Sequence, residues 1–375
     1  MRERIAVAMS GGVDSSTVAA LLVREGYECV GLTMQTWPAA SHVADTGRAR
    51  GCCSVSEIED AEHVAWRLGI PHYTLNIREK FEATVVANFV EEYAAGRTPN
   101  PCVRCNQHIK FSLFLERARA LGATRIATGH YARIERDEQT GRLRLERGVD
   151  RHKDQSYVLA EMTQDQLTHA MFPLGSMTKE QTREAARACG LRVAEKRDSV
   201  EICFLPHGNH GEFVAKRLPD AVRPGPVVDL QGNVLGQHRG LPFYTVGQRR
   251  GLGLGDAHET HNAGHATGSS PPKTPLFVIR LDAARNEVVV GPVEALEQAG
   301  LVARNPNWIS IATLLEPLEV TARIRYNAPD VPATIRPRTD GGVDVTLATP
   351  ARGIAPGQAV VFYQGDVVVG GATID

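Results

Sequence analysis

Over residues 1 to 130, short apolar runs alternate with amphipathic stretches. Ile5 to Ala8, Cys29 to Met34, His72 to Ile77 and Arg125 to Thr128 read as strands covered on both faces. Between them apolar residues fall at helical spacing. Ile58, Ala61, Ala65 and Leu68 line one face of a segment that a Ser56/Glu59 capping box is expected to start and Gly69 to stop. Ile109, Leu113, Ala118 and Leu121 do the same in a helix expected from Asn106 to Leu121 and ended by Gly122. This alternation predicts an α/β fold built on a doubly wound parallel sheet.

After Gly129 the pattern changes. Tyr131 to Glu135 and Arg142 to Glu146 flank a glycine-containing turn and predict a hairpin, and Thr178 to Cys189 predicts a capped helix ending at Gly190. A small mixed domain is expected over 206 to 275, closing with the polar run DAHETHNAGHATGSSPP. That run has too little apolar surface to order itself and reads as a flexible loop. Its His258, His261 and His265 have no cysteine or carboxylate at ligand spacing, which disfavours a metal site. From 276 to 375, β-branched runs such as FVIRL, NEVVVG, LEVTARIRY, VDVTLAT and QAVVFY recur between Gly, Pro and Asp turns, predicting a small closed all-β barrel or sandwich. The expected division is therefore 1–205, 206–275 and 276–375.

Composition narrows the class. At 42% hydrophobic and 23% charged, the 375 residues are those of a globular protein of more than one domain, not a disordered chain. The opening MRERIAVAMSGG fits neither a signal peptide nor a spanning helix, so a cytoplasmic location and no membrane association are expected. Seven cysteines in that setting point to catalytic, redox or metal roles, or to burial, before a disulfide framework. A net charge of −1 means that any contact with nucleic acid must come from local arginine clusters.

The firmest chemical signal is SGGVDSS at Ser10 to Ser16, between a strand pattern and a helix pattern. Gly11 and Gly12 remove side chains so that backbone N–H groups can converge on an anion, and the helix N-terminus adds its positive dipole end. Ser10, Ser15 and Ser16 supply hydroxyls, and Asp14 is expected to help position magnesium. The loop lacks the lysine of the GxxxxGK[ST] type, which argues against phosphoryl transfer in the kinase manner.

This string resembles the loop of the PP-loop ATP pyrophosphatases, which adenylate a carbonyl oxygen and release pyrophosphate. Further stretches are similar to the tRNA-specific 2-thiouridylase family: AMSGGVDSS at 8 to 16, RTPNPCVRCNQHIKF at 97 to 111, ATGHYAR at 127 to 133, KDQSYVL at 153 to 159, DSVEICF at 198 to 204, YTVGQRRGLG at 244 to 253 and RIRYN at 323 to 327. The resemblance spans nearly the whole chain in family order. It implies ATP contacts from Ala8, Met9, Ser10, Gly11, Gly12, Val13, Asp14, Ser15, Ser16, Met34 and Gly129. It implies contact with the wobble uridine of a tRNA from Asn100, Pro101 and Cys102, and with tRNA elsewhere from Lys153, Asp154, Gln155, Arg325 and Tyr326.

The cysteines carry the sulfur chemistry that the resemblance implies. Cys105, just ahead of the expected Asn106 helix and near Arg104 and Lys110, is the nucleophile candidate. Cys203, which by pattern alone is equally a buried strand cysteine, matches the family's persulfide carrier, supplied by an upstream sulfur relay or cysteine desulfurase. Burial is the expectation for Cys29 and Cys189, and no catalytic role is assigned to Cys52 and Cys53. Many members have Asp where this chain has Cys102. The resulting CxxC admits an alternative in which Cys102, Cys105 and Cys203 hold a [4Fe-4S] cluster, ranked below the persulfide route. The implied reaction attacks ATP with the uracil O2, then replaces the adenylated oxygen by sulfur and releases AMP. A base flipped from its stack is required.

RNA contact is also expected from Arg323, Arg325, Arg336 and Arg338, which face one acid in sequence, Asp330, and from Arg239, Arg249 and Arg250. Competing readings are a PP-loop synthetase for a small molecule, which has no use for the Cys105/Cys203 pair, and an RNA-binding module with a vestigial loop. His130 is left unassigned.

Overall fold

The computed structural model describes residues 2–36, 55–196, 202–205, 209–254 and 275–375. Cys52, Cys53, the 256–273 run with its histidines, and residues 198–201 lie outside the described residues.

The strands Arg4–Ala8 (β1), Glu28–Gln35 (β2), His72–Asn76 (β3) and Arg125–Ala127 (β4) are joined by helical crossovers, with Val13–Arg24 (α1) after β1 and Val55–Leu68 (α2) before β3. The hairpin Ala132–Arg136 (β5) and Leu143–Arg147 (β6) follows, then the short strand Ala170–Met171 (β7). The first sheet runs β3-β2-β1-β4-β7 with every neighbour parallel. Alternation along β1 explains why both faces are covered. Ile5 and Val7 pack with Val18, Leu22, Ala61 and Val64, whereas Ala6 packs on the other side with Val30, Phe114 and Ala118. The doubly wound sheet expected from the sequence is present.

Two helix starts differ from the expectation. Ser56 is inside α2, which begins at Val55, so it is not the cap. The helix expected from Asn106 begins five residues earlier, at Pro101. Pro101 stands at the first helical position, where its missing N–H costs nothing, and the Asn100 side chain accepts from the Val103 amide at 3.2 Å. The helical run then continues through wide π-type turns over Asn106–Leu113 into Phe114–Ala120.

The strands Gly225–Val228 (β8), Val234–His238 (β9), Phe277–Asp282 (β10) and Glu287–Gly291 (β11) form a second sheet, ordered β10-β11-β8-β9. FVIRL and NEVVVG, grouped by their composition with the C-terminal barrel, thus pair in the central sheet, through β11 beside β8. The strands Glu297–Trp308 (β12), Leu318–Arg323 (β13), Val331–Pro337 (β14), Val343–Arg352 (β15), Ala359–Gln364 (β16) and Val367–Ile374 (β17) run antiparallel in the order β12-β15-β14-β13-β16-β17. A β12–β17 pairing closes them into a barrel around Val320, Ile335, Val345, Phe362 and Val369.

The barrel is not a separate bead. β6 pairs with β17, so the β5–β6 hairpin extends the barrel sheet. The Arg142 guanidinium donates to the Ile309 carbonyl at 3.0 Å, and Tyr157 Oη donates to the Ala359 carbonyl at 2.7 Å. The Thr98 amide donates to the Pro356 carbonyl at 2.7 Å. The barrel therefore buttresses the segment that leads into the Cys102/Cys105 helix. Among the described residues no helix is long and apolar enough to cross a membrane.

Candidate functional site

The loop after β1 is shaped for an anion. Gly11 has φ +70, and a Cβ there would sit 2.1 Å from the Glu57 carbonyl oxygen, so only glycine lets α2 close on the loop. Gly12 caps α1 in an extended conformation with no side chain across the first-turn amides. Inside the loop, Ser15 Oγ accepts from the Ser10 amide at 3.1 Å and donates to the Gly12 carbonyl at 3.3 Å, with Ser10 Oγ 3.3 Å away. Ser16 is fully buried, and its hydroxyl has no hydrogen-bond partner among the described residues. Gly129, at the end of β4, meets α1 so closely that a Cβ would lie 2.9 Å from Asp14 Cβ and 3.1 Å from the Ser15 amide nitrogen. Met9 is buried and Ala8 and Met34 half-buried around the same strand ends.

Two lysines complete this loop, and neither stood out in the sequence. Lys179 Nζ lies 2.8 Å from each carboxylate oxygen of Asp14, whose Oδ1 also accepts from Tyr131 Oη at 2.9 Å. A cation at the first position of the helix Lys179–Ala188 opposes that helix's dipole, and the Asp14 charge offsets it. Lys196 Nζ donates to the Gly11 carbonyl at 3.1 Å and to Asp60 Oδ2 at 2.8 Å. Beside the loop, His130 is buried, with Nδ1 2.6 Å from Thr128 Oγ1 and Nε2 3.4 Å from Lys110 Nζ. Burial, then the Lys110 charge, push its pKa well below the ordinary imidazole value. It is neutral at pH 7.

Because the helix starts at Pro101, Cys105 is its fifth residue rather than lying ahead of a helix. The dipole argument made for Cys105 moves to Cys102, which is exposed on the first turn. Cys105 and Cys203 are both half-buried and pack against one apolar cluster containing Phe81, Phe89, Ile109 and Phe204. Cys203 occupies a turn, closed by the Leu205 amide donating to the Ile202 carbonyl at 3.0 Å, and is not a strand residue. Among the described residues no group of three or more His, Cys, Asp or Glu side chains is gathered as a metal site, which gives a cluster on Cys102, Cys105 and Cys203 no support. Cys29 is buried in the core, its thiol pushed up to about 11 by desolvation, and Cys189 is half-buried at a helix end.

The residues expected at RNA divide by burial. Asp154 is only 4% exposed. Its oxygens accept from the Gly148 and Ser156 amides at 3.2 and 3.1 Å and face Arg147 and Arg323 at 3.8 and 3.6 Å, so it ties the hairpin to the barrel. Gln155 Oε1 accepts from the Tyr131 amide at 3.1 Å, and Lys153 is half-buried beside it. The Arg325 guanidinium donates inward to the Val246 carbonyl at 3.0 Å and stands 3.1 Å from where a Gly353 Cβ would be, at the meeting of barrel and central domain. Tyr326 is 39% exposed and donates to the Asp154 carbonyl at 3.1 Å. Asn100 is half-buried and Pro101 buried, leaving Cys102 as the exposed member of that trio.

The arginine cluster of 321–338 is largely neutralised by acids within that stretch or a few residues beyond it. Arg323 pairs with Asp330 at 2.7 Å, and Arg338 pairs with Asp340 and Asp344 at 3.0 and 2.8 Å. Arg239 pairs with Glu212 at 3.2 Å and lies over Phe243. Arg249 and Arg250 are exposed and form no ion pair among the described residues.

A glycine loop between the first strand of a parallel sheet and its helix, closed by a glycine from the neighbouring strand, defines a PP-loop nucleotide-binding enzyme fold. A family model described as the tRNA methyl transferase HUP domain matches residues 3–207, the tRNA methyl transferase PRC-barrel domain matches 211–292, and the aminomethyltransferase beta-barrel domain matches 298–374. The chain is 53% identical to the tRNA-specific 2-thiouridylase MnmA of Heliobacterium modesticaldum, over 100% of this chain and 93% of that one. To the same-named protein of Magnetococcus marinus it is 49% identical over 99% of each. The chain belongs to the tRNA-specific 2-thiouridylase family. A solved 4-thiouridine synthetase–RNA complex with bound ATP aligns over 58% of this chain and 51% of its own at 13% identity and TM-score 0.34, too remote to add to that assignment.

Proposed function

We propose that this chain is an ATP-dependent tRNA-uridine 2-sulfurtransferase that exchanges the C2 oxygen of a wobble uridine for sulfur. The observation that carries the chemistry is that Cys105 and Cys203, 98 positions apart, pack on the same apolar cluster. The relatives' shared name supplies the substrate class.

ATP is taken as substrate by Ser10 to Ser16, with Gly129 holding the loop to its helix. Magnesium enters as the counter-ion of the triphosphate, and the described residues gather no carboxylate set for it. The uracil O2 attacks the α-phosphorus and pyrophosphate leaves, which turns O2 into a leaving group. Cys203 arrives carrying a persulfide from an upstream sulfur-relay protein or cysteine desulfurase. Its outer sulfur adds to C2 and AMP departs: either Cys105 first attacks the inner sulfur and frees hydrosulfide, which adds to C2, or the outer sulfur attacks C2 directly and Cys105 then attacks Cys203 Sγ, with the thiolated base as leaving group. The Cys105–Cys203 disulfide remains. Cys102 and Asn100 face the flipped base, Tyr326 offers a stacking ring, and Arg249 and Arg250 meet backbone phosphate. A cytoplasmic location suits such a substrate.

The test incubates purified protein with ATP, magnesium, a persulfide donor and unmodified tRNA, then analyses digested nucleosides by mass spectrometry. 2-Thiouridine with stoichiometric AMP and pyrophosphate is expected, and its absence under conditions in which a family member is active sinks the reading. Cys105→Ala and Cys203→Ala should each lose product while retaining ATP; activity in both removes their roles.

A further inference from the structure

Each turnover of that reaction leaves a Cys105–Cys203 disulfide that must be reduced before Cys203 can be loaded again. Both thiols are half-buried against Phe81, Phe89, Ile109 and Phe204. A protein reductant approaches such a bridge poorly. One helical turn before Cys105 stands Cys102, exposed and on the first turn of the capped helix Pro101–Cys105. Residues three apart on a helix bring their Cβ atoms to about 5–6 Å. A disulfide needs about 3.5–4.5 Å, so a modest tightening of this terminal turn closes it, and a strained bridge is more readily reduced.

We propose that Cys102 is the resolving thiol of the catalytic cycle, an inference that rests on the thiolation reading above. The Cys102 thiolate attacks Cys105 Sγ. The 102–105 bond forms, the 105–203 bond breaks, and Cys203 leaves as a thiolate that takes up a proton, with no net oxidation. The exposed Cys102–Cys105 disulfide is then reduced by an external dithiol, whose two thiols become a disulfide. Oxidation is moved from a sheltered pair to an accessible one, and Cys203 is released for its next sulfur.

The sequence makes this readable, because trypsin cuts between the two cysteines at Arg104. A 102–105 bridge joins TPNPCVR to CNQHIK, whereas a 105–203 bridge joins CNQHIK to the peptide DSVEICFLPHGNHGEFVAK. Persulfide-loaded enzyme is given ATP and tRNA for one turnover without reductant, quenched with N-ethylmaleimide, digested and analysed by mass spectrometry. In the wild type the first bridge should dominate, with maleimide on Cys203. In Cys102→Ser the second should persist, and turnover supported by a thioredoxin-type protein dithiol should fall about tenfold relative to turnover with a small phosphine reductant. 2-Thiouridine formed with the 105–203 bridge alone in the wild type overturns the role of Cys102 and leaves the thiolation reading intact. No 2-thiouridine in the wild type overturns both.

Discussion

Lys179 Nζ lies 2.8 Å from both carboxylate oxygens of Asp14, so the acid of the phosphate loop is held by a cation from a helix 165 residues away. Asp14→Asn should weaken this tie at a lysine whose side chain is only 13% exposed. The expected loss is about 1–3 kcal/mol of stability, read by urea unfolding, with weaker ATP binding. Adding Lys179→Met should cost less than the two single changes summed, as a double-mutant cycle will report. Strict additivity would show that the pair is not coupled.

Gly129→Ala tests the close approach of β4 and α1. The new methyl group would meet Asp14 Cβ and the Ser15 amide nitrogen at 2.9 and 3.1 Å, and backbone cannot swing aside as a side chain can. Overpacking of this kind costs about 1–3 kcal/mol, and here it displaces the loop that receives ATP. Isothermal titration should show nucleotide affinity reduced about tenfold or more, while the barrel keeps its fold.

His130 sets a pH dependence whose sign follows from its surroundings. Burial and Lys110 hold its pKa in the folded protein below that of the unfolded chain, about 6.5. Above that pH neither state binds the proton. As pH falls through 6.5 the unfolded state takes it up first, and stability drops until the folded pKa is reached. Unfolding midpoints measured between pH 7.5 and pH 5 should fall less steeply for His130→Asn than for wild type (both limits being about one unit or more from the unfolded value). Identical slopes would remove His130 from the account.

Asp154 offers a choice between structural and RNA-contacting roles. Its side chain is 2% exposed and faces Arg147, itself 6% exposed. Asp154→Ala leaves the Gly148 and Ser156 amides without their acceptor and Arg147 with only Asp330 as carboxylate partner, with an expected cost of about 1–3 kcal/mol per buried amide. Asp330→Ala, at a carboxylate 31% exposed, should cost much less, about 1 kcal/mol. Chemical unfolding ranks the two. Equal losses would contradict Asp154 as the hub of the junction.

For RNA contact the exposed pair Arg249 and Arg250 is the sharper target than the barrel arginines. Replacing each by Gln should weaken tRNA binding across sequences and lower the slope of log affinity against log salt by about one per arginine. Arg338→Gln, whose guanidinium pairs with Asp340 and Asp344, should leave that slope nearly unchanged.

The sequence shows some of this directly. SGGVDSS, the alternating strands and the Thr178 cap depend on neighbours a few residues away, and each appears where the pattern puts it. NP at Asn100 and Pro101 was a legible start signal, overridden by the stronger apolar periodicity after Asn106. What sequence hides is partnership at long range. Arg323 shows only the nearby Asp330 until Asp154, from the segment after the β5–β6 hairpin, folds against it. β10 and β11 have the composition of barrel strands, and only β8, some sixty residues earlier, assigns them to the central sheet. Lys179 and Lys196 stand on ordinary polar stretches, with no local mark of the loop they reach.

The pairing of β6 with β17 also bears on how the chain is made. Glu146 leaves the ribosome roughly 220 residues before Val367, its partner. Through most of translation the β5–β6 hairpin therefore waits with one edge uncovered, beside Arg142 and Arg147 whose barrel partners do not yet exist. β17 both shuts the barrel and covers that edge, so a chain whose synthesis stops before β17 has a complete nucleotide loop but a hairpin open to the wrong neighbour.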